Sequence, residues 1–479
     1  MLTFKQRVSD RLTKLLQLGW FKTYQSCIAK VDTDRKIMLL MVILAEFMIG
    51  CFWNISLLMN SLRYSVFYGL TWTNLFDPTI ILMIILLIFG FFTAFGSRWT
   101  DEFLGPNRAM FWSAVLYGGG QFIGATILTL GDQVAVSPIF FIVFAAIPIG
   151  IGIGMGFIAP AACLMRWYPD QRSFAPMISI VSFSAAPLLT SWFFFSSRGD
   201  PSFIMSVFGL FSFIILLACS FVLKKPAPFQ TFPAPKASKK LRRDVYLSID
   251  KPAVCTLTPK NLLHIKQFYF SSLALVANYT LFGFLIMDFA HRSYTFLLLS
   301  FRIEYLPFLF GFAHIGALAG RYIWSVVARS VGKIISYALQ CWSAAFVLVC
   351  LVFVVNTSIL WLFVVIFVLF TVFGGFQQLT TQFIGEVFGT INIKALHSVF
   401  ILLQPLGYFI AFLLVLIQIR TDLTSSLFLF ATLEVVCGFL MYLVRPISSI
   451  QVKTLFPRTP LNNMKETDNM DLLDAVIEA

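Results

Sequence analysis

The stretch KKPAPFQTFPAPKASKKLRRD, residues 224–244, divides the chain into two parts of like pattern. Six prolines between 226 and 259 and a surplus of Lys and Arg oppose compact packing, so 224–266 reads as a linker. Working outward, six hydrophobic stretches precede it, near 37–60, 79–97, 108–130, 138–165, 174–196 and 202–223. Six more follow, near 267–289, 305–328, 334–355, 359–384, 395–419 and 425–444. Each is long enough, at about 1.5 Å per residue, to cross a hydrocarbon core of roughly 30 Å. Hydrocarbon offers no partner to backbone N–H and C=O groups, and the runs lack the short alternation of barrel strands, so they must be helices. The expectation is an all-α membrane protein of 12 transmembrane helices in two six-helix bundles, 37–223 and 267–445. An amino-terminal segment, 1–36, and a tail, 446–479, flank them.

Composition excludes a soluble enzyme: 59% of residues are hydrophobic, 12% are charged, and 55 of 479 are phenylalanine. The net charge of +13 raises nucleic acid as a partner, but its placement argues against that. Only Arg63, Arg198, Arg292, Arg302 and Arg420 fall on the side reached by the odd-to-even loops; the other 30 of the 35 Lys and Arg lie on or near the opposite side. That asymmetry puts both termini and the linker in the cytosol. A plasma membrane or an endolysosomal or vacuolar membrane suits the pattern. The eight cysteines are scattered, without the paired spacing of a metal site or disulfide framework, so neither metal nor cofactor is expected. Residues 1–36 contain no apolar run of signal-peptide length. Phe4, Val8, Leu12, Leu15, Leu16 and Trp20 instead recur at helical spacing among basic residues, which suits a helix lying on membrane lipids. In the acidic tail, Asp468 followed by Leu472 and Leu473 fits the dileucine signal that sorting adaptors read. A monomer is expected.

The two halves repeat. GSRWTDEFLGPNR (96–108) follows the second stretch and GRYIWSVVARSVGK (320–333) the eighth, each a glycine, basic residues and a second glycine in a short loop. Parallel six-helix repeats allow two bundles to rock around a central site.

On these loops the chain resembles the major facilitator superfamily, whose corresponding loops have the form Gly-x-x-x-Asp-x-x-Gly-x-Arg. GIGIGMGFIAPAACLMRWYPDQRSFAPMISI (150–180) resembles the glycine ladder, proline and Lys-Trp-Phe-Pro-Asp-x-Arg segment of its oxalate/formate antiporter family. FGGFQQLTTQFIGEVFGTINIKALHSVFILLQPLGYF (373–409) resembles that family's Phe-Gly-Gly…Phe-Gly pattern. The resemblance implies that Gly96, Asp101, Gly105 and Arg108, then Gly320, Arg329 and Gly332, and also Arg166, Asp170 and Arg172 take part in gating. Two departures matter. Asp101 is one residue further than usual from each flanking glycine, so Glu102 competes for its role, and Arg329 occupies the acidic position of the second loop. A base cannot keep an acid's partner.

Sparse charges within the helices are the candidates for solute chemistry, because an ionised group near mid-membrane is costly unless it faces a cavity or a partner. These are Glu46, Arg321 and Glu434, with His314 beside them in character. His314 and Arg321 lie seven residues apart, two turns on one helix face, and Arg321 lies about 10 Å inward from the helix end. An arginine grips a carboxylate with two parallel hydrogen bonds, and the resemblance matches Arg321 to the arginine that organic-anion carriers use. Oxalate carriers place a lysine where this chain has Gln404, so a monocarboxylate or a zwitterion fits better than oxalate. Glu46 and His314 are the expected proton carriers, since a histidine and a buried carboxyl trade protons near neutral pH. His397, near the cytosolic end, and Glu434, in the last helix, are expected to be structural. Gly156 and Pro160 mark a place where the fourth helix softens.

The sequence thus points to a secondary transporter of small organic anions, as antiporter or proton symporter, binding through Arg321, Gln404 and His314. Alternatives are a carrier of amino acids or other neutral or zwitterionic solutes, and a non-transporting membrane sensor or scaffold. An enzyme is not expected, because the four histidines are dispersed.

Overall fold

A computed structural model of the chain describes residues 34–54, 58, 78–99, 105–131, 138–168, 174–196, 200–226, 259–298, 306–354, 359–388, 393–418 and 423–445. Most of 1–36, of the linker and of the tail, including Asp468, Leu472 and Leu473, lies outside them, as do Asp101, Asp170 and Arg172. Twelve helical rods are described. In the first half they are α1 (Arg35–Gly50, continued by a 3-10 turn, Cys51–Asn54), α2 (Pro78–Trp99), α3 (Gly105–Ser113, Ala114–Gly118 and Gly119–Gly131 end to end), α4 (Pro138–Phe141, Ile142–Ala146, Ile147–Gly156 and, after a turn, Ala159–Trp167), α5 (Phe174–Ser196) and α6 (Pro201–Val222). In the second half they are α7 (Lys266–Leu298), α8 (Leu306–Val331), α9 (Lys333–Val354), α10 (Ile359–Phe388), α11 (Ile393–Ile401 and Leu403–Gln418) and α12 (Leu423–Leu443).

Eight rods hold apolar spans of 18 or more residues that suit a membrane crossing, and α2, α5 and α10 hold shorter ones. The remaining rod is α8, whose apolar surface is interrupted by His314, Arg321 and Arg329. Polar residues end an apolar run without ending a helix: α7 continues through Asp288, His291 and Arg292 to Leu298, nine residues past the expected stretch. Start signals are local. Asp34 accepts from the Arg35 N–H at 2.7 Å, and Asp200 accepts from the Ser202 N–H at 3.0 Å with Pro201 at the first helical position.

Packing repeats with an offset of six. In the first half α1 packs on α5, α2 on α4 and α3 on α6; in the second α7 packs on α11, α8 on α10 and α9 on α12. Across the halves α5 meets α8 and α2 meets α11, which are equivalent pairs under the same offset. This is the expected two-bundle, all-α architecture. The α6 and α12 spans bury 33% and 39% of their residues against 72% for that of α7, so the former face lipid while α7 is central.

At the end remote from both termini the halves share one apolar core, in which Phe52 and Trp53 join Phe284, Leu309 and Phe310. At the end where α1 begins and α12 finishes, the second half has a core of its own, around Ile265, Phe268, Phe388 and Phe400. The halves still meet on that side, where the Ile393–Ile401 part of α11 packs on α2.

The second glycines of the two repeated loops, Gly105 and Gly332, are the positive-φ glycines among the described residues, at φ 75° and 92°. Each stands at a helix start, where the chain must reverse within a few residues. A Cβ on Gly332 would meet nothing within 4 Å, so its constraint lies in the backbone rather than in packing. Gly332→Ala is expected to destabilise the protein by about 1–2 kcal/mol, seen as a lower thermal unfolding midpoint in detergent. An unchanged midpoint would mean that the loop relaxes out of the left-handed region.

Two rods are interrupted. Pro160 lacks an N–H for the helical ladder, and α4 breaks at Phe157–Ile158 just before it. In α11 the break is at Leu402, three residues before Pro405. Broken helices at membrane depth suit places where the backbone lines a cavity.

Candidate functional site

Both breaks border the same space. A cavity of about 240 Å³ lies between the halves, and Ile158 from α4 and Ile401 from α11 line it together with Glu46, Ser179, Arg321, Gln404 and others. Three sequence-predicted residues, Glu46, Arg321 and Gln404, thus converge from α1, α8 and α11.

Each is held by a specific contact. Glu46 is buried, at 1% exposure, and Ser179 of α5 donates its hydroxyl to Glu46 Oε1 at 2.6 Å. The Arg321 guanidinium donates through Nη1 to the Ile180 carbonyl at 2.6 Å, which ties α8 to α5 across the halves. Gln404 donates through Nε2 to the Tyr408 hydroxyl one turn on, at 2.8 Å. Glu46 and Arg321 act on each other electrostatically in the space they share. The cavity therefore offers one arginine, one carboxyl group, one amide and the His397 imidazole.

His314 stands in a second, smaller cavity of about 30 Å³ that Arg321, Trp53, Phe183 and Tyr279 line in common with the first. It is 7% exposed, between the Phe310 and Phe370 rings at 5.3 and 5.6 Å, and its Nε2 has no hydrogen-bond partner among the described residues. Trp53 closes edge-on against Phe282 of α7 at 5.1 Å, and Trp192 of α5 against Phe308 of α8 at 5.5 Å. These pairs join the halves on the side away from the termini.

Two residues expected to be structural differ in their relation to the cavity. His397 lines the larger one. Glu434 is fully buried on α12 outside both cavities, beside the Cys341 thiol of α9. Sequence reasoning also missed Ser179, Thr380 and Tyr408, and the aromatic residues around the cavity. Pro160 was the one signal available, since it marks the break that brings Phe157 to the wall.

Among the described gating candidates, Gly320 lies in the middle of α8 and the others lie at the end carrying the termini. Gly96 is near the end of α2, Arg108 is half-buried in the first turn of α3, and Arg166 is half-buried in the last turn of α4. A methyl at Gly320 would overlap the Thr371 carbonyl of α10, and one at Gly374 the Ala317 carbonyl of α8, so these two glycines let α8 and α10 touch backbone to backbone. Arg329 is exposed on the last turn of α8. Nearby, Lys333 at the start of α9 pairs with Glu386 of α10 at 3.7 Å. With both side chains partly exposed, that pair is worth no more than about 1 kcal/mol.

Solved structures similar to this chain share its fold. One is described as a D-xylose-proton symporter, with a TM-score of 0.63, 13% identity, and coverage of 85% of this chain and 97% of that one. Another is an inward open conformation of the xylose transporter XylE from E. coli, with a TM-score of 0.63, 11% identity, and coverage of 87% and 97%. No curated protein matches the sequence. The Major Facilitator Superfamily matches over residues 37–412, across both repeats and the cavity between them; the chain belongs to that superfamily and is a multi-pass membrane transporter rather than an enzyme.

Proposed function

We propose that the protein moves small organic anions by alternating access, with Arg321 gripping the carboxylate of the solute. The observation that carries this reading is the convergence of Arg321, Gln404 and Glu46 on one cavity between the two halves. A guanidinium fits a carboxylate with two parallel hydrogen bonds, and Gln404 supplies an amide that can donate or accept beside it. One fixed cation favours a monocarboxylate over a dianion, in keeping with glutamine where oxalate carriers have lysine. The resemblance of 150–180 and 373–409 to the oxalate/formate antiporter family supports the same solute class.

Glu46 gives the transport cycle its proton. Ionised, it competes with the solute for Arg321; protonated, it releases the arginine, so anion and proton bind together. The basic linker and termini are cytosolic in this reading, and the end of the bundles that carries them is the cytosolic mouth. The repeated loops, with Arg108, Arg166 and Arg329 around them, then lie at that mouth and gate it.

The decisive experiment pairs thermal shift of the purified protein with flux into liposomes, using carboxylates, their neutral amides and amino acids. Carboxylates should stabilise and cross while the matching amides do neither. No shift and no flux with any carboxylate would overturn the reading. One observation favours a second reading: Glu46 opposite Arg321 also suits a zwitterion, with an ammonium on the carboxylate. Stabilisation by amino acids but not by carboxylates lacking an amine would select it.

The specificity claim has its own test. Gln404→Lys adds a cation to a poorly screened cavity and should raise the ratio of dicarboxylate to monocarboxylate binding by on the order of tenfold. An unchanged ratio in a variant that still binds would mean that Gln404 does not face the solute.

A further inference from the structure

The larger cavity has an aromatic patch apart from its polar groups. Both halves line it with polar side chains, Glu46, Thr93 and Ser179 from the first and Arg321, Thr380, His397 and Gln404 from the second, while Trp53, Phe89, Phe157 and Phe183 of the first half line it with rings. Those four rings form one edge-to-face chain: Trp53 on Phe89 at 6.3 Å, Phe89 on Phe157 at 5.7 Å, Phe157 on Phe183 at 4.9 Å, and Phe183 back on Trp53 at 6.2 Å. Trp53, Phe89 and Phe183 are 4%, 1% and 2% exposed, so they back the wall, while half-buried Phe157, set at the break in α4, is its accessible ring. At roughly 30 Å³ per water, about 240 Å³ corresponds to eight waters. A carboxylate of three or four heavy atoms would leave most of that space to water against an apolar wall.

We infer that the solute carries a planar or aromatic apolar body along with its carboxylate, the body lying on the Phe157 wall and the carboxylate on Arg321. The inference rests on the carboxylate reading above and narrows it. Apolar surface removed from water adds to affinity in proportion to its area, and edge-to-face aromatic contacts add beyond area. Phe157 is then a specificity-determining residue, separable from the carboxylate grip.

The test uses the full chain purified in detergent, with acetate, benzoate and benzamide as probes in equilibrium binding, on the parent and on Phe157→Ala, Phe157→Leu and Arg321→Ala. Benzoate should bind the parent at least tenfold more tightly than acetate. Phe157→Ala should lose about tenfold for benzoate and less than twofold for acetate, with Phe157→Leu intermediate, a pattern that misfolding would not produce. Equal affinity of the parent for benzoate and acetate, both lost in Arg321→Ala, would overturn the aromatic inference and leave the carboxylate reading standing. Benzamide binding as tightly as benzoate, with no effect of Arg321→Ala, would overturn the carboxylate reading while the apolar wall survived. No binding of any probe to a folded parent would overturn both.

Discussion

Arg321→Ala is expected to abolish carboxylate binding and flux. Removing one partner of a desolvated, hydrogen-bonded charge pair costs about 2–5 kcal/mol, a loss of some thirtyfold to several thousandfold in affinity. Arg321→Lys should recover only part, because an ammonium offers a point charge without the planar fork. The structure adds a control. Arg321 also donates to the Ile180 carbonyl and so joins α8 to α5, an interaction that a lysine can also make. If the inter-half bond were all that mattered, Arg321→Lys would behave as the parent in both stability and binding. If the guanidinium grips the solute, Arg321→Lys keeps the stability and loses much of the affinity. Normal transport by a correctly inserted Arg321→Ala would dismiss Arg321 as the site.

The spans were legible because hydrocarbon imposes one rule on every backbone group it surrounds, and that rule is written in apolar length. The second glycines of the repeat were legible because a reversal between rods favours positive φ, which Gly105 and Gly332 both adopt. The loop expected over 320–333 was not legible, since α8 stays helical to Val331 and only Gly332 separates it from α9. Which face of each rod points inward was not. In a membrane the lipid face is as apolar as the packed face, so the Ile147–Gly156 part of α4, apolar on all sides, does not tell which way Phe157, the next residue, faces. Charged residues escape this blindness, since an ion must face a cavity or a partner, and so Glu46 and Arg321 could be named from sequence. Neutral partners could not. Ser179 lies 133 residues from Glu46, and nothing in its neighbourhood distinguishes it from Ser182 or Ser184, which bond back to their own helix. The place of His397 on the cavity was hidden for a related reason: its position near a helix end says nothing about a cavity that extends toward that end.

Glu46→Gln is expected to uncouple the proton from the solute. The amide keeps the length of the side chain and can still accept from the Ser179 hydroxyl now 2.6 Å from Glu46 Oε1, so packing on α1 should survive. What it removes is the charge that contends with the solute for Arg321. In the parent, each anion bound requires Glu46 to take up a proton, so apparent affinity should rise as pH falls, by up to about tenfold per pH unit while Glu46 is ionised in the empty cavity. In Glu46→Gln that dependence should vanish, leaving binding tight at every pH. Exchange of solute against solute should persist, because the loaded carrier still alternates, while accumulation driven by an inward proton gradient should be lost. The groups that share the cavity with Glu46 and titrate or carry charge are Arg321, His397 and the Tyr279 phenol, which stays neutral in this range. His314 stands in the adjoining cavity, and His314→Gln is a further control. Arg321 keeps its charge over the range tested, so His397→Gln is the necessary companion. A pH dependence that survives Glu46→Gln and disappears in His397→Gln would move the proton to α11. A pH-driven accumulation that survives both substitutions would remove the proton-coupling role from this cavity altogether.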